Sequence, residues 1–159
     1  MQQGAPPLIE TCDGDWTDRF VASAMRFFAN LHQLSDWGLL ALRVGVGMSF
    51  WVHGMSKRAM WKMAPSPQMP ASLLSTVRLL SIVEPLGAVA AFAGFLMQPA
   101  AVGFVIIMLG AIRLKAVQMH RGFSVDGGWE LDFVLLTAAL ALVFLGAGAI
   151  SLDRVLFGL

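Results

Sequence analysis

Residues 74–97 read LSTVRLLSIVEPLGAVAAFAGFLM. A bilayer core needs about 20 mostly apolar residues of helix, and this run supplies them. It carries Arg78 near its start and Glu84 inside, with Pro85 directly after the acid. A charge at such a depth costs at least about 2.5–3.5 kcal/mol on insertion scales. A run that keeps one is expected to bury it against other helices. The whole chain agrees with a membrane reading. Hydrophobic residues make up 57% of its 159 residues and charged residues 13%, against about 45–50% and about 25% in a soluble domain. Half the usual charge does not cover a soluble surface, so disorder and an ordinary soluble enzyme are excluded.

Three further runs have the same character. Residues 37–56 hold one charge, Arg43; residues 99–119 are uncharged until Arg113; residues 131–150 are uncharged after Asp132. The joints between runs are legible. Pro65, Pro67 and Pro70 mark a non-helical first loop, since proline lacks the N–H a helix needs. Pro99 suits the first turn of the third span, which makes the turn before it very short. Gly122, Gly127 and Gly128 mark the third loop. The expected fold is all-α: a transmembrane four-helix bundle over residues 36–154, with both termini on one side. Sixteen glycines fit close helix packing in lipid.

Ahead of the bundle, residues 1–15 lack the basic and apolar regions of a secretory signal and are expected to be a flexible tail. Residues 16–35 are expected to form an amphipathic interfacial helix. Phe20, Ala24, Phe27, Leu31 and Leu34 recur at three or four, while Arg19, Ser23, Arg26, Asn30 and Gln33 take the other face. Residues 155–159 are expected to be a C-terminal tail. For orientation, the side of the termini holds Arg19, Arg26 and Arg154, and the opposite side holds Lys57, Arg58, Lys62, Arg78, Lys115 and Arg121. Positive residues favour the cytoplasm, which directs the termini outward. Trp37, Trp61 and Trp129 fall near span ends and read as interfacial belt residues.

Net charge is +1, so nucleic acid is not an expected partner. The only cysteine is Cys12, which excludes an internal disulfide, a C-x-x-C redox pair and a Cys-ligated metal centre within one chain. No metal set and no catalytic residue is assigned. The intramembrane ionisable residues are more informative. Arg43, Gly47, Phe50, His53, Gly54 and Lys57 lie on one stripe of the first span, and Leu80, Glu84, Gly87, Ala91 and Gly94 on one stripe of the second. Gly103, Ile106, Gly110, Arg113, Val117 and His120 are read as the inward stripe of the third span, and Glu130, Thr137 and Phe144 as one face of the fourth. With a rise of about 1.5 Å per residue, Glu84 lies roughly 15 Å below the side of the first and third loops. His53, Lys57 and Arg113 lie nearer that side. A polar pocket is expected there, with Arg43 or Arg113 as the countercharge to Glu84. The competing expectation is that these charges only fix helix register.

Several elements together resemble the DoxX family of small four-helix membrane proteins. They are Arg43-Val-Gly-Val-Gly47, Phe50 and His53-Gly54-x-x-Lys57; Glu84-Pro-x-Gly87 and Gly94-Phe; and Gly146-Ala-Gly-Ala-Ile-Ser-Leu-Asp153. The resemblance covers about residues 36–154. It implies an integral membrane protein of bacteria or archaea. Some relatives look like subunits of quinone-linked thiosulfate oxidation, and others are associated with membrane complexes that handle oxidative and thiol stress. The absence of a cysteine pair argues against a thiol relay in this chain itself.

Two functions follow as expectations. One is a quinone-interacting or accessory subunit of a membrane redox complex, with Arg43, Phe50, His53, Lys57, Glu84 and Arg113 as the ligand site. No cofactor would be intrinsic, and a bound quinone would be the ligand. The other is a non-catalytic scaffold or anchor for a protein partner or lipid. The lipid bilayer is the expected surrounding, with a redox partner subunit or a homo-oligomer as further partners.

Overall fold

The computed structural model describes residues 15–67 and 69–158. The chain divides into two units, residues 1–35 and residues 36–159. The expected N-terminal tail lies outside the described residues except for Asp15. In the first unit, α1 (Asp15–His32) forms where the apolar spacing places it. Phe20, Met25, Phe27 and Phe28 are exposed on it, and the rings of Phe27 and Phe28 meet edge to face. The side chain of Leu31 lies outside the described residues.

The second unit contains α2 (Ser35–Ser56, which begins one residue before it), α3 (Ala71–Ala93), α4 (Met97–Arg113), α5 (Glu130–Leu145) and α6 (Leu152–Phe157). A 3₁₀ segment, Lys57–Lys62, extends α2, and one wide π turn, Leu114–Gln118, extends α4. Four helices share one core. Val46 and Phe50 come from α2, Ala88 and Ala91 from α3, Ala101 and Phe104 from α4, and Leu135 and Ala139 from α5. The small residues let the backbones approach, and Phe50 stacks on Phe104 with ring centroids 3.9 Å apart. Among the described residues two helices are long and apolar enough to cross a membrane, Ala71–Ala93 and Met97–Gln118. At about 1.5 Å per residue, the 16 residues of α5 reach only about 24 Å, and the chain continues from it in extended turns.

The joint between α3 and α4 is as short as Pro99 implied. Gly94 adopts the left-handed conformation (φ +63°), and Phe95 N–H closes the end of α3 on the Ala90 carbonyl at 2.9 Å, as glycine at a helix C-terminus does. The start of α4 is capped from far along the chain. Asp153 accepts from Leu96 N at 2.7 Å and from Met97 N at 2.9 Å. These are orphan donors of a helix N-terminus, where a carboxylate also meets the helix dipole favourably. The same terminal segment returns Asp153 N–H to the Gly94 carbonyl and Ala149 N–H to Asp36 Oδ1. It therefore closes one end of the bundle, and α6 runs through Phe157 into the stretch expected to be a tail.

The inward faces of α2 and α3 follow the sequence reading except at His53, which is exposed: Arg43, Gly47, Phe50 and Gly54 are buried, as are Glu84, Ala91 and Gly94, and Lys57, Leu80 and Gly87 are half-buried. Those of α4 and α5 do not. Ile106, Arg113, Val117 and His120 are exposed, and the buried face of α4 is Met97, Ala101, Phe104 and Met108. Glu130, Thr137 and Phe144 are exposed as well, while Asp132, Leu135, Leu136, Ala139 and Leu142 face inward. These two helices are apolar all round, so hydropathy does not distinguish their faces. Gly103 and Gly110 mark open space instead of a close contact.

Candidate functional site

The face of α3 that carries Arg78, Ser81 and Glu84 holds the 3₁₀ segment in place. Arg78 donates to the carbonyls of Met60 and Met63, the latter at 2.7 Å. Trp61 Nε1 donates to Ser81 Oγ at 2.8 Å, and Ser81 Oγ donates to the Arg78 carbonyl at 2.7 Å. Lys57 Nζ then donates to Glu84 Oε1. Spacing of three on a helix puts Arg78, Ser81 and Glu84 on one side, and they meet the segment in antiparallel order. Trp61, read from the sequence as a belt residue, thus has a structural bond in addition to its exposure. Pro85 fits because α2 presents Gly54 to it, where a Cβ would collide with the proline ring.

Beside this contact lies a cavity of about 570 Å³. Its apolar wall includes Phe50, Val77, Leu80, Ile107 and Leu135, and its polar residues are His53, Lys57, Thr76, Glu84, Lys115, Gln118 and Asp132. Two ion pairs stand in the wall. The Glu84 side chain is completely buried, and that of Lys57 is 27% exposed. Glu84 Oε2 has no hydrogen-bond partner among the described residues. On the other side, Lys115 Nζ lies 2.7 Å from Asp132 Oδ2 and donates to the Gly128 carbonyl at 3.2 Å. Lys115 comes from the π turn, a distortion frequent at functional sites.

Of the six residues expected at the site, Phe50, His53, Lys57 and Glu84 line this cavity, and Arg43 and Arg113 do not. Arg113 is the exposed last residue of α4, where a long basic side chain suits the membrane interface. Arg43 is buried at the opposite end of the bundle. It donates to the Ile150 carbonyl, packs beside Gly94 and Ser151, and feels the charge of Asp153. The countercharge of Glu84 is therefore Lys57, in place of either arginine. Lys115 and Asp132, which the structure brings into the cavity wall, are not among the six residues expected at the site from the sequence. Their opposite signs at one depth on consecutive spans are the signal that could have joined them. Gly47, on the inward stripe of the first span, packs against Phe92 and not in the cavity wall.

Among the described residues no three His, Cys, Asp or Glu side chains are grouped to hold a metal ion. The arrangement offers a largely apolar chamber with ammonium donors and carboxylate acceptors along its wall. That combination suits an apolar ligand with a few polar atoms.

The DoxX family profile matches residues 38–121, from α2 through the π turn after α4. The chain is 30% identical over 127 residues to a Bacillus subtilis protein named "Putative oxidoreductase CatD", covering 76% of this chain and 87% of that one. No solved structure matches it. With the profile matching more than half of the chain, and 87% of the relative covered, this membrane protein belongs to the DoxX family.

Proposed function

We propose that the protein is a quinone-interacting or accessory subunit of a redox complex in the bacterial cytoplasmic membrane. The observation that carries this is the 570 Å³ cavity with the Lys57–Glu84 and Lys115–Asp132 pairs in its wall. A quinone needs apolar room for its ring and tail and polar groups for its oxygens. Phe50, Leu80, Ile107 and Leu135 supply the first; the two lysines, His53 and Gln118 supply the second. The name of the Bacillus subtilis relative supports a redox association. Electrons would come from a partner subunit, and the termini would face away from the cytoplasm.

The test is native mass spectrometry of the protein extracted from its own membranes in mild detergent. A quinone-mass adduct, with or without a partner subunit, is the expected result. An alternative role is a non-catalytic scaffold or anchor for a protein or lipid. The exposed aromatic side chains of α1, Phe20, Phe27 and Phe28, favour it. Extraction with a fixed partner and no quinone would support the scaffold and remove the quinone proposal.

A further inference from the structure

We infer that the cavity selects the quinol over the quinone. This rests on the proposal that a quinone-type ligand occupies the cavity, and it concerns which redox form the wall fits.

Glu84 carries the inference. Its side chain is completely buried and forms part of the cavity wall. Oε1 accepts from Lys57 Nζ, while no donor among the described residues reaches Oε2. A buried acceptor without a donor is costly, and a bound ligand that donates removes that cost. A quinone has only acceptor oxygens. Brought to Glu84, its carbonyl sets lone pair against lone pair. A quinol hydroxyl donates to Oε2 and still accepts from a neighbouring ammonium. Both ammonium groups already face acceptors: Lys57 donates to Glu84 Oε1, and Lys115 pairs with Asp132 and donates to the Gly128 carbonyl. At Glu84 itself the uncommitted atom, Oε2, can only accept, and the hydroxylated form of the ligand matches it.

A hydrogen bond to a charged acceptor supports a preference of about tenfold or more. Tighter binding of the reduced form stabilises it, so the midpoint potential of the bound couple rises. For a two-electron couple, each tenfold preference raises it by about 30 mV. Such a site would hold the reduced product of a quinone-reducing partner longer than it holds the substrate.

The experiment uses the full chain in lipid nanodiscs, titrated anaerobically by calorimetry with decylubiquinone and with decylubiquinol, with empty nanodiscs subtracted. The expected result is decylubiquinol binding about tenfold or more tightly, and a ratio near one in Glu84→Gln. Glu84→Asp, which withdraws the carboxylate but keeps its charge, serves the same purpose if the Gln variant does not fold. Equal binding of the two forms, or tighter decylubiquinone, overturns the inference and leaves a quinone site standing. Binding of neither form overturns both the inference and the quinone proposal. A preference unchanged in both Glu84 variants overturns the assignment to Glu84.

Discussion

Lys57 and Glu84 stand 27 residues apart in sequence and form an ion pair in which the acid is completely buried and the lysine side chain keeps 27% of its exposure. Their meeting depends on the 3₁₀ segment after α2, which turns back along α3 and is held there by Arg78 and Ser81. The pair is therefore both a fastening between two helices and part of the cavity wall.

Removing the lysine leaves a buried carboxylate without its countercharge. Breaking a buried pair from one side costs about 3–5 kcal/mol, and the partial exposure of Lys57 places Lys57→Met near the low end of that range. Lys57→Met combined with Glu84→Gln is expected to regain much of the loss, because the uncompensated charge is gone. Thermal unfolding in detergent, followed by tryptophan fluorescence across the double-mutant cycle, checks this. Equal losses in the single and double variants would contradict it.

The far end of the bundle is expected to respond independently. Asp153→Ala removes the acceptor of Leu96 N–H and Met97 N–H and the charge that faces Arg43. Loss of a cap costs about 1–2 kcal/mol, so the unfolding midpoint should fall. Quinone binding should be unchanged, because neither Arg43 nor Asp153 lines the cavity. A binding loss at a temperature where the variant is fully folded would show that the two ends are coupled.

Glycines divide into two kinds, and alanine substitutions should separate them. Gly94 has φ +63°, and a Cβ there would collide with Arg43 and Ser151; a Cβ on Gly87 would stand 2.6 Å from Phe104 Cε1. Alanine at either position is expected to cost more than about 1 kcal/mol, through strain or displacement of packed groups. At Gly103 and Gly110 nothing lies within 4 Å of a new Cβ. Alanine there should be neutral or stabilising by about 0.5–1 kcal/mol, from helix propensity alone. Four midpoints measured in one detergent decide the matter.

Topology is open to cysteine labelling in a Cys12→Ser background. Four crossings put Ser66 in the first loop and Ser124 in the third on one side, with Gln98 and Arg154 on the other. The lysine and arginine bias places Ser66 and Ser124 in the cytoplasm. An impermeant maleimide applied to intact spheroplasts should then label Gln98→Cys and Arg154→Cys and spare Ser66→Cys and Ser124→Cys. Labelling of Ser66→Cys and Arg154→Cys together would break the four-crossing arrangement.

Composition and local pattern fixed the class of this protein: apolar runs of spanning length, the proline-rich first loop, and the very short joint that Pro99 implies. They also set the inward faces of α2 and α3, because there a charged residue lies on a stripe of small residues, and burying that stripe is the economical solution in lipid. In α4 and α5 the same logic had nothing to grip. When every face is apolar, burial is decided by which neighbour fits, and the glycines at 103 and 110 turned out to border open space. Pairing of charges was the least legible feature. Arg43 reaches the Ile150 carbonyl across 107 residues of chain, and Glu84 takes Lys57 because a 3₁₀ segment folds back along α3. Sequence spacing reports faces and depth along one helix. Which charge answers which depends on how segments between helices return, and the packed fold alone settles that.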